Sequence, residues 1–201
     1  VTQDTIKAPG RPQDDELTEK ILCETVRVLQ ESGYAGLRIE QVAAAIGCGK
    51  TTIYRRWPTK AELTAAAITF HVKLGEIPDT GSLVEDLIEL AWQNAENHVP
   101  KPWAKAAPHA LWAVLVVPEV REIFGQGFLA DRRTMWLFAL QRGIEQKQLS
   151  VGADLNAIID LIAGFATQRT LILNVAMRKS DFKPIVEALV ANPPLQADAE
   201  L

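Results

Sequence analysis

The sequence predicts an all-α fold, and three observations carry that prediction. Apolar residues return at helical spacing through nearly the whole chain, glycine or proline closes each run, and no segment alternates apolar and polar residues as a half-buried strand would. A chain of 201 residues can bury a sizeable core and suits one or two domains.

Residues 1–15 hold Pro9, Gly10 and Pro12 among mixed charges and show no apolar period, which reads as a flexible N-terminal arm. Arg11 there either enters a minor groove or belongs to a mobile tail. A first helix follows, with Leu17, Ile21, Leu22, Val28 and Leu29 on its stripe, Cys23 beside them and Gly33 at its end. Ile39, Val42, Ala43 and Ile46 then fall at i, i+3, i+4 and i+7, so they share one helix face. Gly47 can close that helix in the left-handed conformation, and Gly49 keeps the connection short. A second short helix starts at Lys50, buries Ile53 and Trp57, and ends where Pro58 disfavours helix at Trp57.

Thr59 and Glu62 have the spacing of a capping box, opening a helix whose stripe is Leu63, Ala66, Ala67, Phe70 and Leu74. Carried to Ile77, it is roughly 28 Å long at 1.5 Å per residue. Asp79-Thr80-Gly81 is a turn, and Ser82 with Glu85 repeats the capping spacing before a helix on Leu83, Leu87, Leu90 and Ala91 that reaches about His98. Pro102 can start another helix, through Trp103, Leu111, Trp112 and Leu115, kinked at Pro108, and Pro118 opens a long helical stretch to Leu149. Asp154 caps a helix from Leu155 to about Met177 that is apolar on more than one face, so it must be covered on both sides. The last helix spans Asp181 to Ala191, and Pro193-Pro194 ends it. The expected organisation is an arm over 1–15, a helix-turn-helix domain over 16–63, a larger helical domain over 64–195 and a tail over 196–201.

The functional signal lies in the short helix pair. With Ile53 and Trp57 turned inward, Lys50, Thr51, Tyr54 and Arg55 face out, giving cations and hydroxyls on a rod that fits a major groove. A net charge of -4 and a pI near 5.5 oppose nucleic-acid binding only if charge is spread evenly. It is not: from Gly47 to Lys60 the chain has Lys50, Arg55, Arg56 and Lys60 and no acid. Phosphate contact depends on this local sign.

Other chemistries are excluded. Gly49-Lys50-Thr51 ends like a phosphate loop, but Ala44 stands where that loop needs its first glycine, and the preceding segment has helical period. His71, His98 and His109 are scattered, and Cys23 and Cys48 have neither paired spacing nor neighbouring histidines, so no metal site or disulfide is expected. No nucleophile elbow or singled-out carboxylate pair appears, and the expectation is neither an enzyme nor a cofactor protein. The longest apolar stretch, Leu155 to Val175, is interrupted by Asp160, Gln168 and Arg169, so a cytoplasmic protein with no membrane partner is expected.

The residues Gly33-Tyr34, Ile39, Val42-Ala43, Ile46-Gly47, Thr52 through Trp57 and Lys60 through Leu63 resemble the N-terminal domain of the tetracycline-repressor (TetR) family of transcriptional regulators, over Leu17 to Leu63. The rest of the chain resembles that family only in being helical and apolar. Arg38 departs from a frequent capping Thr, Cys48 from a more usual Val, and Gly49 from a Ser or Thr cap. The expected DNA contacts are Lys50, Thr51 and Arg55 toward bases, with Thr52, Tyr54, Arg56 and Lys60 toward phosphates.

The aromatic-rich second domain is expected to enclose an unidentified small-molecule effector, with Trp92, Trp103, His109, Trp112 and Phe128 as candidate contacts, although the aromatic residues taken singly fit a core role better than a ligand contact. Ile158, Ile162, Phe165, Arg169, Val186 and Leu189 are the candidate homodimer face, a four-helix bundle that the resemblance also implies, the alternative being an intramolecular core. The functional expectation is a homodimeric repressor released by an apolar or aromatic effector from a palindromic operator in double-stranded DNA. The alternative is a helical protein-binding adaptor.

Overall fold

A computed structural model of the chain describes residues 12–97 and 112–196. Nine α-helices lie among these residues: α1 (Pro12–Gly36), α2 (Ile39–Ile46), α3 (Lys50–Arg56), α4 (Lys60–His71), α5 (Leu83–Glu96), α6 (Pro118–Phe124), α7 (Ala130–Glu145), α8 (Leu155–Thr167) and α9 (Lys183–Ala191). Two π-helical segments, Gly125–Leu129 and Gln168–Ile172, and two 3₁₀ turns, Ala113–Val116 and Lys179–Phe182, complete the order. No strand occurs among the described residues, where one isolated bridge joins Ala153 and Leu195. The all-α expectation holds.

Two apolar clusters organise the chain. The first joins Ile21, Val28 and Leu29 of α1 to Val42 of α2, Ile53 of α3 and Leu63, Ala67 and Ile68 of α4, and it continues into Val114, Val120, Phe124 and Phe128. The second joins Leu87 and Leu90 of α5 to Trp136 and Leu140 of α7, Ile158 and Ile162 of α8, and Phe182 and Val186 at the C-terminal end. Helix α4 is packed by α1 on one side and α6 on the other, so its position is shared between the first three helices and the rest of the chain.

Four boundaries differ from the sequence expectation, and each has a physical reason. Helix α1 begins at Pro12, inside the expected arm, because proline is well suited to a first helical position. Its regular part closes at Gly33, whose φ of 65° and ψ of -178° no helix can hold, although one more turn reaches Gly36.

Helix α4 stops at His71 and not at Ile77. Gln93 of α5 and Asn97, which caps that helix, take over the backbone beyond it: Lys73 N–H donates to Asn97 Oδ1 at 2.8 Å, Asn97 Nδ2 donates to the Lys73 carbonyl at 2.9 Å, and Glu76 N–H donates to Gln93 Oε1 at 3.0 Å. Gly75, at φ 86°, turns the chain there. Phe70 and Leu74, expected on the buried stripe, are therefore exposed, and Ala65 and Ile68 are buried instead.

The helix expected to reach Met177 leaves α-geometry after Thr167. The Thr167 and Thr170 hydroxyls donate back to the carbonyls of Ala163 and Ala166, and Asn174, with φ 51°, ends the run. At Ser82 only half of the expected capping box forms: Glu85 N–H donates to Ser82 Oγ at 3.4 Å, while Ser82 N–H donates to Thr80 Oγ1. The long stretch after Pro118 is helical to Glu145, with the π-helical segment at Gly125 and Gly127, where helix propensity is lowest.

Candidate functional site

The short helix pair is built by local chemistry. Helix α2 buries Ile39, Val42 and Ala43. Gly47 closes it at φ 69°, ψ 32°; its N–H donates to the Ala44 carbonyl at 3.3 Å and the Cys48 N–H to the Ala43 carbonyl at 3.0 Å, the paired bonds of a Schellman motif. Arg38 starts α2 without a side-chain cap and turns its guanidinium to the Ala35 carbonyl at 2.7 Å. Gly49, in extended conformation, starts α3, and Thr52 N–H donates to its carbonyl at 2.9 Å.

Seven residues of α3 are enough to give two faces. Ile53 is 0% exposed in the first core, and Trp57, just past the helix, packs partly buried against it. Lys50, Thr51, Tyr54 and Arg55 are exposed, Tyr54 at 41%; Thr52 and Arg56 are half-buried at the flanks. Lys50 is not free of acidic neighbours, as the window alone suggested. The turn brings Glu40 of α2 to 3.8 Å from its ammonium, a pair with both side chains 62% exposed and therefore weak and open to competition by a phosphate.

The start of α4 flanks the same surface. Thr59 and Glu62 form the expected capping box, with Glu62 N–H donating to Thr59 Oγ1 at 3.1 Å and Thr59 N–H to Glu62 Oε2 at 2.9 Å. Lys60 is half-buried, its ammonium 4.3 Å from the centroid of the Tyr34 ring. Burial lowers its pKa and the Arg38 charge adds to that, opposed by Glu119. The Tyr34 hydroxyl donates to Glu119 Oε1 of α6 at 3.4 Å, and burial, then that carboxylate, raise the Tyr34 pKa. Lys60 thus stands between the outward face of α3 and the rest of the chain.

A cavity of about 330 Å³ lies in the second half of the chain. Its apolar wall includes Trp112, Leu115, Leu129, Trp136, Ile159 and Leu171. The π-helical segments supply Leu129 and Leu171, one from each side. Polar groups come from Asn94, Arg132, Arg133, Asp160 and Thr167. Of the candidate effector contacts, Trp112 is in this wall. Trp92 packs against the second core, and Phe128 is buried in the first, stacked on Phe124 at 5.2 Å between centroids. Trp103 and His109 lie outside the described residues.

The candidate dimer residues separate by burial. Ile158, Ile162 and Val186 are fully enclosed in the subunit's own core, because that face of α8 packs on α5 and α7 and Val186 faces α5, so these three have no surface to give a partner. Phe165, Arg169 and Leu189 are half-buried, and Arg169 lies 5.7 Å from the Phe165 ring centroid. The exposed apolar side chains alongside them are Leu161 at 52% and Ile172 at 67%.

Sequence reasoning passed over Arg132, Asn94 and the Tyr34–Glu119 link. Arg132 did carry a signal: the residues three and four positions away on either side are Phe128, Leu129, Met135 and Trp136, so it stands on the apolar face of its helix.

Comparison with known proteins agrees with this anatomy. Residues 21–67 match the family described as "Bacterial regulatory proteins, tetR family", and residues 77–189 match "Tetracyclin repressor-like, C-terminal domain". An uncharacterized HTH-type transcriptional regulator of Mycobacterium tuberculosis is 30% identical over 190 residues, which cover 92% of this chain and 90% of that protein. Among solved structures, the transcriptional regulator FadR from Bacillus subtilis in complex with stearoyl-CoA superposes with a TM-score of 0.65 at 16% identity, covering 87% of this chain and 97% of that one. A putative transcriptional regulator from Saccharomonospora viridis in complex with choline gives 0.60 at 18% identity, covering 90% and 99%. At these identities the two structures speak for the fold alone.

Proposed function

The chain belongs to the tetR family of bacterial regulatory proteins, which are DNA-binding transcriptional regulators and not enzymes, and from that premise we propose that it acts as a homodimeric repressor released from its operator by a small apolar or aromatic effector. One observation carries the DNA-reading half of this proposal: α3 holds Ile53 fully buried while Lys50, Thr51, Tyr54 and Arg55 project outward from the same seven residues. Lys50, Thr51 and Arg55 contact base edges, and Thr52, Tyr54, Arg56 and Lys60 contact phosphates. Two such helices related by a twofold axis read half-sites about 34 to 36 Å apart.

The dimer half is supported by the outer face of α8. Leu161 and Ile172, exposed at 52% and 67%, form an apolar stripe with the half-buried Phe165, whose ring also packs on Phe182 of the second core. Together with Leu189 of α9 it forms the surface on which the second subunit packs, while Ile158, Ile162 and Val186 stiffen it from within.

The effector acts through the C-terminal end of α4. Arg132, in the cavity wall, reaches the Lys73 carbonyl at 3.5 Å, and Asn97, at the C-cap of α5, holds both the N–H and the carbonyl of Lys73. An effector that binds better when this junction is shifted depletes the DNA-competent conformation, and DNA weakens effector binding by the same factor. Neighbours solved with ligands as different as stearoyl-CoA and choline support a cavity of this kind in the fold, and neither compound is assigned to this chain.

A nuclease footprint on DNA upstream of the gene tests the proposal. Two protected half-sites about one helical turn apart are expected. Uniform, sequence-independent retention of duplex would contradict it and favour a protein-binding role for the basic face.

A further inference from the structure

The cavity holds a charge imbalance. Two arginines and one aspartate line it, and they do not share their charges evenly. Arg133 donates from Nη1 to Asp160 Oδ1 at 3.0 Å and from Nε to Asn156 Oδ1 at 2.9 Å, so its charge is matched. Arg132 is not matched. Its Nη1 donates to the neutral amide oxygen of Asn94, its Nη2 to the Lys73 carbonyl, and its guanidinium carbon lies 4.8 Å from the Phe128 ring centroid. Among the described residues no carboxylate pairs with it. Burial lowers its pKa to about 10, which still leaves it a cation at neutral pH.

Burying a cation with no counter-ion beside Leu129 and Trp136 costs desolvation free energy that the Phe128 ring face offsets only in part, and an anion in the same space would recover the rest. A guanidinium has five N–H donors, of which two are used here, so a bidentate carboxylate can be accommodated. Trp112, Leu115, Ile159 and Leu171 add apolar and aromatic surface to the same lining, where the one carboxylate, Asp160, is already held by Arg133. We infer that the cavity takes an apolar organic anion of the carboxylic-acid class, its headgroup on Arg132 and its hydrocarbon or aromatic body against Trp112 and Trp136. A monoanion balances the single surplus charge; a cationic ligand would meet like charge. The inference rests on the reading of this cavity as the effector site, and it adds the sign of the effector and the residue that selects it.

Two fluorescent probes with one ring skeleton test it: anilinonaphthalenesulfonate, an anion, and phenylnaphthylamine, which lacks the sulfonate. Both are titrated into the full-length protein and three variants. Asn94→Asp keeps the size of the side chain and gives Arg132 a carboxylate of its own, and Arg132→Met removes the charge. Ala163→Phe fills part of the cavity. Asn94→Asp and Arg132→Met should each weaken the anionic probe by roughly tenfold or more, the value of a charge-assisted hydrogen bond, while the neutral probe stays within about threefold. Ala163→Phe should weaken both. If Arg132→Met fails to fold, Asn94→Asp decides alone.

An anionic probe indifferent to Asn94→Asp would overturn the assignment of Arg132 and leave the cavity reading standing. Failure of both probes to bind the unmodified protein, or to respond to Ala163→Phe, would overturn the cavity reading and this inference with it.

Discussion

The Lys60 ammonium lies 4.3 Å from the centroid of the Tyr34 ring, at the junction where the reading helices meet the rest of the chain. Lys60 opens α4, and Tyr34 follows the Gly33 break in α1 and reaches Glu119 of α6. A cation held over an aromatic face in a half-buried position gains about 0.5–1 kcal/mol and a restricted orientation. That restriction keeps the charge at the N-terminus of α4, where backbone N–H groups already favour a phosphate.

Lys60→Met should therefore weaken operator binding, and the loss should shrink with salt. One lost phosphate contact removes about 0.9 from the log–log salt slope, so the defect should fall by a factor of about three to four between roughly 50 and 200 mM salt. Glu119→Gln, which leaves the α3 face untouched, should change the response to effector more than DNA affinity in its absence. Fluorescence anisotropy titrations at two salt concentrations measure both.

Asp86 should prove the most damaging polar position to truncate. It is 3% exposed, and its carboxylate accepts from Thr80 N–H at 2.9 Å, Thr80 Oγ1 at 2.7 Å and Arg142 Nη2 at 2.7 Å. Arg142 also donates to the Pro78 carbonyl, so this pair clamps the segment between α4 and α5. Asp86→Ala leaves the Thr80 N–H and hydroxyl without this acceptor and Arg142 with only the Pro78 carbonyl and the more exposed Asp79 carboxylate at 3.4 Å, and should cost about 3 kcal/mol in chemical denaturation. Asp86→Asn, which keeps one oxygen acceptor, should cost less.

Acid should loosen the C-terminal end first. The Lys179 ammonium donates to Glu89 and holds that carboxyl below its usual range. A depressed folded-state pKa gives stabilisation that is complete above the unfolded value, about 4.3 for glutamate, and is lost as pH falls through the lower folded value. Thermal midpoints should drop as pH falls below about 4, and Glu89→Gln should remove part of that dependence. An unchanged profile in the variant would mean that the ion pair contributes nothing measurable.

Gly47→Ala should cost about 1 kcal/mol or more without changing what α3 presents, because a side chain at φ 69° is strained although no atom crowds the position. Its melting temperature should fall while DNA affinity of the folded fraction stays the same.

How much of this was legible in the sequence depends on how local the cause is. The α2–α3 pair was readable because its stripe, its Schellman glycine and its proline stop all act within a few residues of one another. The ends of α4 and α8 were not. Gln93 of α5 and Asn97 at its cap stop α4 from some twenty positions away, while α8 ends, through threonine back-bonds and the positive φ of Asn174, within a run that still looks apolar. Burial of Ile158, Ile162 and Val186 in their own subunit was equally hidden, since an all-apolar helix does not say which of its faces meets its own core. Arg132 and Arg133 stand side by side in the sequence with nothing local to tell their partners apart. Only the fold shows that Asp160 matches one of them and leaves the other facing a cavity.

The central claim is that α3 reads DNA with Lys50, Thr51, Tyr54 and Arg55 while Ile53 anchors it. The direct measurement is a salt-dependent titration of the upstream duplex and a scrambled duplex with the unmodified protein and with Arg55→Ala. Arg55→Ala should fold normally and lose about 1–3 kcal/mol of preference for the specific site, with little change on scrambled DNA. Equal affinity of the unmodified protein for both duplexes, or an Arg55→Ala variant that keeps full discrimination, would contradict the claim.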